Sequence, residues 1–155
     1  MPPIFHPIDD ATVARWRAGG PDAHGQPPER RISDGSGIPC RHTLALVPAG
    51  RPYLVLAHRP FAGLNPYTET GPIFVAADPV PGARPGPDLP PFLASAQYLL
   101  RGYDMDERIV YGSGQITATA EIQAACADML ARPGIAFVHV RSATNGCFHV
   151  RVDRG

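Results

Sequence analysis

His139, Arg141, Cys147, His149 and Arg151 recur at every second position on either side of the turn-like segment Ser142-Ala143-Thr144-Asn145-Gly146. Strand side chains alternate between faces, so two strands joined there carry these five groups on one face. Val138, Val140, Phe148, Val150 and Val152 would then form the other, apolar face. A merely solvated strand face more often carries Thr, Ser, Glu or Lys. Imidazole, guanidinium and thiol groups together suit an anion, a metal or a proton transfer.

Each of these chemistries names its residues. In a proton transfer, His139 moves the proton, with Glu69 as a second acid or base. Arg59, Arg101 and Arg141 hold the carboxylate or enolate charge. Cys147 is a candidate nucleophile with His149 or His139 as its base, although no third orienting group is evident. The loop between Arg59 and Ile73 presents Asn65, Tyr67, Glu69 and Thr70, and loops held by rigid strands are where ligand groups concentrate. Tyr67 and Asn145 are the polar substrate contacts this arrangement suggests. The bland alternatives are that Glu69 orients an arginine and that Tyr67 packs. Cys40-x-His42 and Cys147-x-His149 offer four zinc-type ligands, but structural zinc sites favour knuckles with C-x-x-C spacing, which is absent. No metal and no cofactor is therefore expected. The chain has no GxSxG elbow, no HExxH, and no GxGxxG after a strand; Gly112-Ser113-Gly114 is not followed by a phosphate-loop Lys.

The elements that must position these groups follow from periodicity. In the C-terminal hairpin a two-residue Asn-Gly turn would pair Val140 with Arg151 and mix the faces. An odd-length loop instead pairs Arg141 with Cys147 and His139 with His149, with Asn145 or Gly146 near its left-handed position. A second hairpin is expected from residues 40–47 and 53–59 across Pro48-Ala49-Gly50-Arg51-Pro52, setting His42 opposite His58 and Arg41 opposite Arg59. Opposed like charges destabilise a sheet, which suits an anion between them or splayed strands. Residues 72–77 read as a strand, and the proline-rich 78–91 as extended coil. A third hairpin is expected from 97–103 and 108–112. Thr119 to Arg132 is the main helix, its stripe Ile122, Cys126, Met129 and Leu130 facing a core, and Pro133-Gly134 ends it. A short helix starts at Asp9-Asp10 and stops at Gly19-Gly20-Pro21, followed by an irregular connection over 20–38. The sum is an α+β fold around an antiparallel sheet.

Composition bounds the function classes. The 155 residues fit one domain, residues 1–38 holding the N-terminal helix and loop and 39–155 the core. Formal net charge is zero, which argues against nucleic acid as a partner. All 14 basic residues are Arg, a bias expected of GC-rich bacterial coding; with no Lys, lysine Schiff-base chemistry is excluded. No run approaches the 18 apolar residues of a membrane span. Three cysteines and no basic-then-apolar leader make the cytoplasm the default location.

Several segments can be read together: Cys40-Arg41-His42, Arg59-Pro60-Phe61, Tyr67-x-Glu69-x-Gly71-Pro72-Ile73-Phe74, Leu100-Arg101-Gly102-Tyr103-Asp104, Arg108-Ile109-Val110-Tyr111-Gly112, Phe137-Val138-His139-Val140-Arg141 and Asn145-x-Cys147-Phe148. In this order they resemble a family of small bacterial proteins known as a domain of unknown function, family 1203, from about residue 36 to the end. The resemblance implies a compact single domain and brings no activity with it. The family pattern often places a His after the Pro-Ile-Phe strand; this chain has Ala76 there, so no metal or acid–base role is implied for that strand.

The first functional expectation is a small-molecule enzyme of isomerase, lyase or cyclase type, acting by acid–base chemistry on an anionic or carbonyl-bearing metabolite. The alternatives are a non-catalytic module binding the same kind of anion, and a structural or partner-binding domain, with a second copy of the chain as the candidate partner.

Overall fold

Asp9 starts the first helix by accepting a hydrogen bond from the Thr12 backbone N–H at 3.1 Å, and Gly19, at φ +88°, turns the chain out of it. A computed structural model describes residues 1–155. In chain order the elements are β1 (Ile4–His6), α1 (Asp10–Arg17), β2 (Glu29–Ile32), β3 (Pro52–His58), β4 (Gly71–Ala76), β5 (Gln97–Tyr103), β6 (Gln115–Ala118), α2 (Ile122–Leu130), β7 (Phe137–Ser142) and β8 (Phe148–Asp153). The fold is α+β, as expected, with two antiparallel sheets: a larger one in the order β1-β8-β7-β5-β6 and a smaller one in the order β2-β3-β4. No helix is long and apolar enough to cross a membrane.

The main helix forms where its stripe places it, a 3-10 turn over Thr119–Glu121 leading into α2. Ile122, Cys126, Met129 and Leu130 pack on Leu100, Val138, Val140, Val150 and Val152 of the larger sheet. A second core joins Val13 and Trp16 of α1 to Leu54, Leu56, Ile73 and Val75 of β3 and β4, and Phe148 enters it from the larger sheet. Phe148 is thus a link between the two sheets.

Two expected hairpins are corrected. Residues 40–47 do not pair with 53–59, because β3 already has partners on both edges, Leu54 lying between Arg30 of β2 and Val75 of β4. β2 itself arises in the segment read as irregular. Residues 39–46 form a tight loop instead: Pro39 bridges Leu46, Leu44 N–H donates to the Cys40 carbonyl, and Arg41 N–H donates to the Phe74 carbonyl. Leu44 sits at φ 56°, a strained conformation for leucine, held by burial of its side chain in the main core. The Arg41–Arg59 and His42–His58 oppositions therefore do not exist. The 97–103/108–112 hairpin shrinks to a single bridge between Tyr103 and Ile109, since β5 is flanked by β6 and β7.

The C-terminal hairpin forms with a different register. Ser142 N–H donates to the Cys147 carbonyl, so the loop is 143–146, with Gly146 in the left-handed region at φ +72°. Arg141 pairs with Phe148, and then a bulge skips His149, so that Val140 pairs with Val150 and His139 with Arg151. The bulge reconciles an even-length loop with two segregated faces. It also exchanges two side chains: Phe148 joins the face of His139 and Arg141, while His149 turns to Phe92 and Tyr98 on the other.

Candidate functional site

On the face of the larger sheet away from α2, strand register sets Arg101, His139 and Arg151 in one row across β5, β7 and β8. His139 is fully buried, boxed by Phe61, Tyr103, Phe137 and Phe148 at ring separations of 4.8–5.2 Å. Arg141 Nη2 lies 3.3 Å from His139 Nδ1. A guanidinium only donates, so Nδ1 accepts and the ring proton sits on Nε2. That Nε2, like Arg141 Nε, is buried with no hydrogen-bond partner. Burial first, then the charges of Arg141, Arg151 and Arg101, hold His139 well below the usual imidazole range, so the ring is neutral.

Glu69 bridges two arginines: Arg101 Nη2 donates to Oε1 at 2.5 Å, and Arg141 Nη1 faces Oε2 at 3.5 Å. Arg101 Nε also donates to the Tyr103 hydroxyl at 2.9 Å. The structure thus brings together His139, Arg141, Glu69 and Arg101 as expected, with Glu69 as an orienting carboxylate. Arg59 is half-buried and forms no part of this cluster. Tyr67 points elsewhere, its hydroxyl 2.9 Å from that of Tyr111 and Arg108 stacked on its ring.

The 143–146 turn separates two cavities. Ser142 Oγ accepts from the N–H groups of Asn145 and Cys147, while the Gly146 carbonyl accepts from Arg141 Nη1 at 3.0 Å, so the turn is fixed at both ends. The smaller cavity, about 190 Å³, has His58, Glu69 and Arg141 in its wall; the larger, about 520 Å³, has Arg41, Phe74, Phe92, Tyr98, Ser142 and His149. Pro72, Asn145 and Cys147 line both. Cys147 is half-buried, whereas Cys40 and Cys126 are fully buried. His139 lines neither cavity, His149 Nδ1 donates to the Cys147 carbonyl at 3.1 Å, and no hydrogen bond joins the Cys147 thiol to either imidazole. The two Cys-x-His pairs do not converge: Cys40 Sγ accepts from the Ala76 N–H, and His42 bonds Asp10. No three His, Cys, Asp or Glu side chains are grouped to hold a metal ion.

Arg41 is the strongest electrostatic feature of the larger cavity. Only 2% of it is exposed, and it donates from Nε to the Phe148 carbonyl and from Nη1 to the Pro39 carbonyl. No carboxylate pairs with it, and no Asp or Glu lines the cavity. Burial pulls the guanidinium down to about 10, so it is still charged at neutral pH. Burial and then the Arg41 charge push His58 and His149 down to about 4, leaving both neutral; the hydrogen bond of His149 to the Cys147 carbonyl works against that shift. From the sequence, Arg41 is considered only opposite Arg59, with an anion between them or the strands splayed, and His58 is given no role; the structure instead sets Arg41 in the wall of one cavity and His58 in that of the other, away from Arg59. One signal was present in the chain: residues 35–68 contain three Arg and no Asp or Glu, so a buried arginine there has no local counter-charge.

No curated protein and no solved structure matches the chain. The family described as Protein of unknown function (DUF1203) matches residues 37–154, a span that carries Arg41, His58, Glu69, Arg141 and Cys147, and the chain belongs to that family.

Proposed function

We propose that this protein binds a small organic anion in the larger cavity, with Arg41 as its charged anchor. The observation that supports this reading is a buried guanidinium with no acidic partner in the wall of a cavity that contains no acid. Leaving such a charge uncompensated costs several kcal/mol, and an entering carboxylate or phosphate offsets that cost with charge-assisted hydrogen bonds. The cavity volume lies within the range of small-molecule sites, about 300–1,000 Å³. Phe74, Phe92 and Tyr98 offer apolar surface for the body of the ligand, and Ser142, Thr144 and Asn145 offer polar contacts. Proton transfer by His139 and Glu69 draws less support, since one is sealed among aromatic rings and the other is bound to two arginines.

Melting temperature tests this. Phosphate, sulfate and small carboxylates at millimolar concentration should raise it, with chloride at equal ionic strength as the control. A hundredfold excess over the dissociation constant adds about 2.7 kcal/mol, roughly 5–10 °C for a domain of this size. Arg41→Met should remove the rise, and Arg59→Ala, outside both cavities, should keep it. Equal responses in wild type and Arg41→Met would overturn the assignment.

A further inference from the structure

The Cys147 thiol is the group in this cleft that the anion-binding reading leaves unused. Its backbone is pinned, the N–H by Ser142 Oγ and the carbonyl by Ser142 N–H and the His149 ring, so the side chain is held in the wall common to both cavities. The unneutralised, 2% exposed Arg41 lines the larger of these cavities, and its Nη2 makes no hydrogen bond within the protein. A thiol and an anchored cation in one cavity suit a ligand with sulfur at one end and a carboxylate at the other. Cys40 and Cys126 have no such access, being 0% exposed.

We propose that Cys147 undergoes thiol–disulfide exchange with small disulfides that bear a carboxylate, Arg41 holding the carboxylate while the sulfurs meet. The inference rests on the anion-binding reading above, and it adds the ligand class and a covalent step. In that step the Cys147 thiol releases its proton to solvent and the thiolate sulfur attacks one sulfur of R–S–S–R. A new S–S bond forms between Cys147 and R–S, the old S–S bond breaks, and its electron pair leaves on the second R–S⁻, which takes up a proton. The disulfide is itself the oxidant, and one R–SH is its reduced product.

Two disulfides of nearly equal length separate recognition from mere reactivity: dithiodiglycolate, with a carboxylate on each arm, and neutral hydroxyethyl disulfide. Without a docking site, the anionic reagent should react more slowly with a thiolate, because like charges repel. With Arg41 as the dock, the folded wild type should react with dithiodiglycolate about tenfold faster than with the neutral reagent, the equivalent of one charge-assisted hydrogen bond. Intact mass should show one adduct per chain, and peptide mapping should place it on Cys147. Arg41→Met should bring the ratio of the two rates down to one or below, a ratio in which any change in the thiol's own reactivity cancels. If that variant fails to fold, the ratio of the two rates on wild type decides the matter alone. Equal rates, a faster neutral reagent, or adducts spread over Cys40 and Cys126 would overturn the proposal. Calorimetric titration of Cys147→Ser with succinate separates the two readings. Binding there, without selective exchange in wild type, removes the Cys147 chemistry and keeps the anion site. No binding and no exchange remove both.

Discussion

His139 illustrates how the same residue reads differently in sequence and in space. Alternation along the strand places it beside Arg141, and that much was legible. What the sequence does not show is the lid over it, because Phe61 and Tyr103 reach the ring from a distant loop and from β5. A neutral imidazole with one unpartnered nitrogen inside an aromatic box contributes packing, not protons. The expected consequence is that His139→Phe, which keeps the ring and removes the orphaned N–H, stays within about 1 kcal/mol of wild type. His139→Ala should lose about 3 kcal/mol, since it opens a cavity among Phe61, Tyr103, Phe137 and Phe148. Urea unfolding at neutral pH measures both. A loss for Phe as large as that for Ala would mean that the polar contact with Arg141 matters more than the packing.

At the scale of elements, local pattern identified α1, α2, β4, β5 and both strands of the C-terminal hairpin, because each carries its own periodicity and its own stop signals. It failed where two segments compete for one strand edge. The alternation in residues 40–47 is as regular as that in β2 is poor, yet β2 takes the edge of β3 and residues 40–47 fold into the loop that bears Arg41. Gly102, in the middle of β5, marks a contact of the same non-local kind. A Cβ built there would meet Ile135 Cδ1 at 2.9 Å, and Ile135 is 1% exposed with little room to yield. Gly102→Ala should therefore cost about 1–3 kcal/mol by overpacking, although alanine normally suits a strand better than glycine does. Ile135→Val removes the offending methyl, so the double variant should recover part of that loss, a coupling of about 1 kcal/mol in a double-mutant cycle. Strictly additive losses would show that Gly102 is needed for some reason other than Ile135.

For the molecule as a whole, the buried imidazoles tie stability to pH. His149 and His58 are each held at about 4 in the folded state, against 6.5 for an unperturbed ring, and His139 is shifted in the same direction. Below pH 6.5 the unfolded chain takes up protons that the folded protein refuses, so the unfolded state binds more protons and stability falls with falling pH. For His149 and His58 the loss begins near pH 6.5, continues to about pH 4, and levels off below that, where their folded rings are protonated as well. For His149 alone, 8% exposed between Phe92 and Tyr98, the loss from pH 7 to pH 5 is about 2 kcal/mol. His58 and His139 deepen it. The carboxylates add little in this window, since unperturbed Asp and Glu titrate below about pH 5. Urea midpoints at pH 7 and pH 5 should therefore differ clearly in the wild type, at unchanged slope. His149→Gln keeps a donor for the Cys147 carbonyl but cannot titrate; its midpoint at pH 7 should be the lower of the two proteins, and its drop to pH 5 should be smaller by the His149 share. A wild-type midpoint that holds or rises at pH 5 would mean that these rings accept protons in place, and that the region around Arg41 is far wetter than its 2% exposure implies.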